Sequence, residues 1–194
     1  MRRKVIDMPG NQNEARFYEC VWPHRAVALR TAKILTSNDA DAEDLAQEAM
    51  MKAFRSITSL REGGNPKAWL LTIVRHAHVD RVRAVSHRAE CSLDAMEMDP
   101  VARECSEESD CWSNPEATLN SFSDQEMIDA LKNLPQEIRW TLLLVDIEGL
   151  DDADAAAILN VPNGTIKSRL HRGRQMLRGV LAPMARELRL AVPA

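Results

Sequence analysis

Apolar residues recur every three or four positions along most of this chain, and no stretch alternates apolar and polar residues as a β-strand would. The clearest periodic stretch is residues 164–178. Its apolar positions share one stripe of a helical plot: Ile166, Leu170, Gly173 and Leu177. A second stripe, well away from the first, is basic: Lys167, His171, Arg174 and Arg178. The pattern predicts an amphipathic helix with one side for packing and one side for an anion.

A short helix is predicted just before the basic helix. It covers residues 151–159 and begins with aspartates, which suit the positive end of a helix dipole. Residues 160–162, Asn-Val-Pro, then form a tight break. A short helix, a tight turn and a basic helix are typical of a helix-turn-helix, whose second helix enters the DNA major groove. From this segment alone, a basic solvated helix in an ordinary bundle is the alternative.

The first half of the chain predicts three further helices, over residues 13–35, 41–60 and 67–84. Pro23 is expected to disturb the early part of the first helix. Asn38 and Asp39 lie in the break before the second helix and are good capping residues. The second helix has an acidic N-terminal half, and the third has a basic second half.

The second half predicts two helices before the helix-turn-helix, over residues 127–131 and 135–148, with Gly149 as a stop. Residues 86–123 show little periodicity and are rich in Ser and Glu, which indicates a linker. The predicted fold class is therefore all-α. It has two small helical domains, residues 13–85 and 124–182, joined by a flexible acidic linker at 86–123 and followed by a tail at 183–194.

The net charge of −4 is unusual for a protein that binds DNA, but the charge is unevenly distributed. Residues 86–125 contain ten acidic and two basic residues, so the rest of the chain carries a net charge of +4. No apolar run approaches the roughly 20 residues that span a bilayer, and the basic N-terminus lacks the apolar segment of a signal peptide. We therefore expect a cytoplasmic protein with no stable membrane insertion.

Three blocks of the sequence resemble the extracytoplasmic-function (ECF) subfamily of bacterial sigma-70 family RNA polymerase sigma factors. The first is DAEDLAQEAMMKAF, residues 41–54, and the second is PKAWLLTIVRHAHVDRVR, residues 66–83. The third begins with LPQEIRWTLLLVDIEGL at residue 134 and continues to residue 177 through AAAILNVPNGTIKSRLHRGRQML. The order and spacing of the three blocks in so short a chain make the resemblance specific.

The resemblance implies an alternative sigma factor that directs promoter-specific transcription initiation. Its first domain resembles the sigma region 2 helical bundle, which binds core RNA polymerase, recognises the −10 element and melts DNA. Its second resembles the sigma region 4 helix-turn-helix, which recognises the −35 element. The implied partners are core RNA polymerase (the β′ coiled coil and the β subunit), promoter DNA and an anti-sigma factor.

The same resemblance implies three sets of site residues. The implied core polymerase-binding residues lie on the acidic helix: Asp41, Asp44, Gln47 and Glu48. The implied residues for the −10 element and melting are Asn65, Lys67, Arg75, His76, Arg81 and Arg83. The implied −35 contacts are Thr165, Lys167, Ser168, His171, Arg172 and Arg174.

Three further positions are judged from their place in the pattern. The family usually has Asn where this chain has His76, which leaves open a different −10 preference or a different hydrogen-bonding role. Trp69 lies in an apolar face, which favours a core position over a stacking platform for a base. Arg169 lies close to the apolar stripe, which suggests an ion pair with the acidic preceding helix.

Catalytic, metal and cofactor roles are not expected. The sequence has no phosphate-binding glycine loop and no nucleophile–base motif. With His87, the linker cysteines Cys91, Cys105 and Cys111 do not have a common zinc spacing, and Cys20 is expected to pack in the interior.

Two other functions are weighed against an alternative sigma factor. A sigma-like decoy would sequester an anti-sigma factor without reading DNA, but it would not need the basic face of residues 164–178. A dimeric helix-turn-helix repressor would leave the acidic helix at 41–60 and the basic helix at 67–84 unexplained.

Overall fold

A computed structural model describes residues 9–90 and 124–187, and every regular element within these ranges is a helix. The chain divides into two compact units, residues 1–95 and 96–194. The predicted all-α fold class with two helical units is confirmed for the described residues. Most of the predicted linker and the end of the predicted tail lie outside them. No helix in these two ranges combines the length and apolar character needed to cross a membrane.

The described part of the first unit consists of α-helices and two short 3₁₀ turns. The α-helices are α1 (Pro9–Cys20), α2 (Arg25–Leu35), α3 (Asp39–Arg55) and α4 (Pro66–Glu90). The 3₁₀ turns are Trp22–His24 and Ile57–Ser59. The prediction of a single helix over residues 13–35 is wrong, because the turn at Trp22–His24 separates α1 from α2. Pro23 has no backbone N–H for the α-helical hydrogen bond, and its position explains this break.

Small side chains form the contact between α2, α3 and α4. Ala32 of α2, Ala42 and Leu45 of α3, and Ala77 of α4 are fully buried in one cluster. Helices that meet through alanines approach closely, because the distance between helix axes depends on the side chains at the contact. The acidic helix and the basic helix predicted from the sequence are therefore packed side by side, as α3 and α4.

The second unit contains α5 (Asp124–Lys132), α6 (Gln136–Leu142), α7 (Asp152–Leu159) and α8 (Asn163–Glu187). The helix predicted over residues 135–148 ends in a π-helical turn, Leu143–Ile147, in which the backbone N–H of Glu148 donates to the carbonyl of Leu143 at 2.9 Å. Gly149 follows with φ of +65°, which fits the predicted stop because glycine adopts this conformation without a Cβ clash.

The helix-turn-helix is formed by α7 and α8. The side chain of Asp151 accepts a hydrogen bond from the backbone N–H of Asp154 at 2.6 Å and caps α7. Asn160 ends α7 in the left-handed conformation, with φ of 56°. The next helix, α8, packs against α6 and α7. Side chains from these helices fill the core of the unit, among them Leu142, Leu143, Leu144, Ile166 and Leu181.

Gly173 lies on the buried side of α8, where a Cβ atom would be 2.7 Å from Cγ2 of Ile138 and 3.0 Å from Cδ1 of Leu142. Overpacking a core costs about 1–3 kcal/mol, whereas replacing an exposed helical glycine by alanine gains about 0.5–1 kcal/mol. We therefore expect Gly173→Ala to lower the free energy of unfolding by about 1 kcal/mol net. Gly179→Ala, on the exposed side of α8, should raise it and is the matched control. Urea denaturation followed by circular dichroism measures both, and a gain of stability in both variants would contradict the expectation.

Candidate nucleic-acid and polymerase interfaces

The helix predicted to recognise DNA is α8, and its two sides have the predicted character. Its apolar stripe is buried, with Ile166 and Leu181 fully covered and Leu170 and Leu177 nearly so. Five of the six residues implied for −35 contacts are exposed: Lys167, Ser168, His171, Arg172 and Arg174. The sixth, Thr165, is half-buried near the start of the helix. Its carbonyl accepts a hydrogen bond from Oγ of Ser168 at 3.0 Å.

Three of these exposed side chains are available to a ligand. Within the described residues, Lys167, His171 and Arg172 have no hydrogen-bond or ion-pair partner. A DNA phosphate or base edge would not have to displace an intramolecular partner from them. Arginine binds guanine through two hydrogen bonds, and lysine and arginine both neutralise phosphates.

Arg174 differs from these residues because its guanidinium is bound within the protein. Its Nε donates to Oδ2 of Asp146 at 3.0 Å, and its Nη2 donates to Oδ1 at 2.6 Å. Asp146 lies in the π-helical turn, so the pair joins that turn to α8. The hydrogen bond with Asp146 and the negative charges of Asp146 and Asp152 raise the pKa of Arg174, although burial opposes this effect.

A groove follows the basic stripe of α8. One side carries Lys167, His171, Arg174 and Arg178, and the other carries Val145 of the π-helical turn and Asp152 of α7. The negative charge of Asp152 makes this side of the groove unfavourable for a phosphate. The structure thus places one of the aspartates predicted at the start of α7 beside Arg174.

Arg169 has a different partner from the one expected. It donates to Oε2 of Glu137 in α6 and not to the acidic start of α7. The expectation failed because Glu137 is 32 positions away in the sequence, and only the packing of α6 on α8 brings the two side chains together.

In the first unit, three of the four residues implied for polymerase binding are exposed on α3: Asp41, Asp44 and Gln47. Asp41 also belongs to the N-terminal cap of α3. Its backbone N–H donates to Oδ1 of Asn38 at 2.8 Å, and its carboxylate accepts from Nδ2 of Asn38 at 2.7 Å. The cap agrees with the break predicted at Asn38, and it leaves Asp44 and Gln47 one to two turns further along the helix.

The fourth residue, Glu48, forms ion pairs with two basic residues of the same unit. Its Oε1 accepts from Nζ of Lys52 at 2.9 Å, and its Oε2 accepts from Nε of Arg81 at 2.9 Å. Nζ of Lys52 also lies 3.5 Å from Oδ2 of Asp80. The hydrogen bond from Lys52 is the largest cause that lowers the pKa of Glu48; burial opposes it, and the bond from Arg81 adds to it. We call these four residues the α3–α4 ion-pair network.

The residues implied for the −10 element and melting are distributed along α4 and its start. The side chain of Asn65 caps α4, since its Oδ1 accepts from the backbone N–H groups of Lys67 at 3.1 Å and Ala68 at 3.2 Å. His76 and Arg83 are exposed. The remaining three are half-buried: Lys67, Arg75 and Arg81. The structure thus brings Arg81, implied for DNA, into contact with Glu48, implied for polymerase.

The first unit also carries an exposed aromatic patch that was not predicted from the sequence. Tyr18 is 51% exposed, Trp22 42% and Phe54 44%, and each has its ring near that of the buried Phe17. Arg25 lies over the ring of Trp22, with its Cζ 5.4 Å from the ring centroid. Phe54 belongs to the broad apolar face of α3, and helical periodicity does not show which part of such a face is covered.

Comparison with known proteins identifies two conserved family regions in this chain. The family model for Sigma-70 region 2 matches residues 22–88, and the family model for Sigma-70, region 4 matches residues 124–177. The first match covers α2, α3 and nearly all of α4, and the second covers α5, α6, α7 and α8 as far as residue 177.

The similar proteins and a similar solved structure are also sigma factors. An ECF RNA polymerase sigma factor, SigE of Mycolicibacterium smegmatis, is 36% identical over 185 residues, which cover 94% of this chain and 68% of SigE. The ECF sigma factor EcfG of Rhodopseudomonas palustris is 36% identical over 155 residues, which cover 79% of each chain. The sigma factor RpoE in its complex with the anti-sigma factor NepR, from Bartonella quintana, is similar with a TM-score of 0.64. It is 30% identical, over 87% of this chain and 96% of that chain.

Proposed function

Because this chain belongs to the ECF subfamily of sigma-70 RNA polymerase sigma factors, we propose that its two units divide the work of promoter recognition between them. The first unit binds core polymerase and recognises and melts the −10 element. The second unit recognises the −35 element, and the acidic segment at residues 86–123 links the two. The chain is thus an alternative sigma factor that directs core polymerase to specific promoters.

The exposed basic surface of α8 is the observation that carries the proposal for the second unit. Lys167, His171 and Arg172 are exposed on the helix that the helix-turn-helix presents to DNA. A decoy that only sequesters an anti-sigma factor has no need of three available cationic or hydrogen-bonding side chains on this helix. The surface therefore favours DNA recognition over the decoy function.

The first unit offers α3 to the polymerase. Asp44 and Gln47 are exposed, and carboxylates on an exposed helix complement a basic partner surface and speed docking. Glu48 has a second role in this proposal. It binds Lys52 and Arg81, so it also fixes α4 relative to the polymerase-binding side of α3.

Recognition of the −10 element is assigned to α4 and the loop before it. His76 and Arg83 are exposed, and Asn65 sets the start of the helix through its cap. A protein that binds single-stranded DNA needs positive side chains along the path of the DNA backbone. Lys67, Arg75 and Arg83 supply them in this proposal.

Three features of regulation and location follow from this function. An anti-sigma factor is proposed to hold the protein inactive, since the similar Bartonella sigma factor was solved in complex with one. The protein would act in the cytoplasm, where core polymerase and the chromosome are. It is proposed to perform no catalysis itself, because polymerase carries out the chemistry of RNA synthesis.

Run-off transcription with purified core polymerase on a pool of randomised promoters tests the proposal. We expect transcripts from templates that share two sequence elements. In a separate measurement of binding to core polymerase, we expect Asp44→Arg to weaken the affinity by about tenfold or more, as charge reversal at an interface does. Glu62→Arg makes the same charge change on an exposed loop residue and should leave core binding intact. Core binding without transcripts would indicate the decoy, and absence of core binding would refute the sigma factor assignment of this surface.

A further inference from the structure

We propose that Asp146 positions the guanidinium of Arg174 to read a guanine, and thereby determines the preferred base pair at one position of the −35 element. This inference rests on the proposed function, since it requires α8 to lie in the major groove. Asp146 itself touches no DNA in this proposal and acts only through Arg174.

The geometry of the ion pair leaves the reading edge of the arginine unused. A guanidinium has five N–H groups, and the bonds to Asp146 use the Nε–H and one N–H of Nη2. Three N–H groups stay on the two terminal nitrogens, Nη1 and Nη2. Those two nitrogens are the pair that a guanine accepts through O6 and N7. The Asp146 contact is therefore compatible with base reading by the same side chain.

The two partners also differ in how firmly they are held. The side chain of Asp146 is 18% exposed and that of Arg174 is 57% exposed. Asp146 lies in the turn that begins with Leu143 and Leu144, both fully buried. The carboxylate is thus attached to the packed core, and the long arginine side chain is fixed to it. An arginine that is ordered before binding loses less rotamer freedom when it meets the base, which improves affinity. Its fixed N–H directions also match the two acceptors of guanine better than the edges of the other bases, which improves discrimination.

The charge around Arg174 favours a base edge over a phosphate. Asp146 binds the guanidinium, and Asp152 faces the same groove. Two carboxylates this close repel a phosphate, whereas O6 and N7 of guanine are uncharged acceptors. Lys167 and Arg172, which have no such partners within the described residues, suit phosphates better.

The opposite role for Asp146 would be sequestration of Arg174 away from DNA. The two roles predict effects of opposite sign. If Asp146 positions Arg174, its loss reduces sequence discrimination; if it sequesters Arg174, its loss increases DNA binding.

The test compares promoter selection by core polymerase with the full-length chain and four variants on templates randomised in the −35 element. The variants are Asp146→Asn, Arg174→Ala, their combination, and Glu137→Gln. Glu137→Gln is the matched control, because it removes a carboxylate from another ion pair with α8, that between Glu137 of α6 and Arg169, which has no proposed DNA contact. Urea denaturation of each variant gives its stability independently of DNA.

We expect Arg174→Ala to reduce the preference for one G·C base pair by about 5- to 100-fold, the range of one bidentate contact. Asp146→Asn should reduce the same preference by about 3- to 10-fold and leave the other positions unchanged, and it should have no further effect in the Arg174→Ala background. Glu137→Gln should leave every preference unchanged, even if it lowers stability.

Three results would overturn the inference. They are a stronger interaction with DNA after Asp146→Asn, an equal loss at all positions of the −35 element, and an unchanged preference. A wild-type chain that selects no −35 sequence at all would instead refute the proposed function of α8, so the two failures are distinguishable.

Discussion

Replacement of Arg172 by glutamate should reduce transcription from a selected promoter by about 100-fold or more. Arg172 is exposed on α8 and has no partner among the described residues, so its loss removes no internal contact of this part of the protein. One arginine contact to DNA contributes about 1–3 kcal/mol, and a glutamate in its place adds repulsion from the phosphates. Together these terms reach about 3 kcal/mol, and each 1.4 kcal/mol is a tenfold change in affinity.

Run-off transcription at a fixed core polymerase concentration measures this effect. Lys132→Glu makes the same change of charge in the same unit, but at the end of α5, which is not one of the two helices of the helix-turn-helix. We expect Lys132→Glu to retain transcription within about twofold, because Lys132 is not on the basic stripe of α8 and salt weakens the effect of charges outside an interface. Equal losses in both variants would show that net charge, and not a contact of α8, determines promoter binding. Core binding should be unchanged in either variant.

Replacement of Leu142 by alanine should unfold much of the second unit and leave the first unit folded. Leu142 is 1% exposed, and its side chain contacts the position of Gly173 in α8. Removal of such a side chain costs about 2–5 kcal/mol. At about 0.05–0.15 kcal/mol per residue, a unit of this size has only about 3–9 kcal/mol to lose. Transcription that depends on the −35 element should therefore fall sharply, while core binding persists.

Amide hydrogen exchange read by mass spectrometry separates the two units in this experiment. In Leu142→Ala, protection should fall in α6, α7 and α8 and persist in α2 and α3. The matched control is Leu70→Ala, a fully buried leucine of α4, which should give the reverse pattern and lose core binding. Loss of protection in both units from either variant would show that they fold as one cooperative body.

Local signals in the sequence predicted most of the helices and several of their ends, although they did not predict the break at Trp22–His24. The caps at Asn38 and Asp151 bind backbone groups three residues away, and Gly149 adopts the conformation that its residue type favours. Such contacts depend on neighbours in the sequence and can be read from it. The same periodicity placed Ile166 and Leu170 correctly in the interior.

Contacts between distant residues could not be predicted in the same way. Arg174 and Asp146 are 28 positions apart, and Arg81 and Glu48 are 33 positions apart. All four are charged residues on predicted helices, and their periodicity is compatible with many partners. Only the packing of one helix on another selects the pair, and that packing depends on the whole core of each unit.

The α3–α4 ion-pair network has a consequence for genetic analysis of this protein. If Glu48 binds polymerase as proposed, a screen for loss of polymerase binding would recover its substitutions, but the same substitutions would also remove the Glu48 partner of Arg81 on α4, the helix proposed to contact DNA. Phenotype alone would then assign both positions to one functional class, although they were expected to serve different partners. Alleles of Asp44 and Gln47, which lie outside the network, are the ones whose phenotypes can be attributed to a single interface.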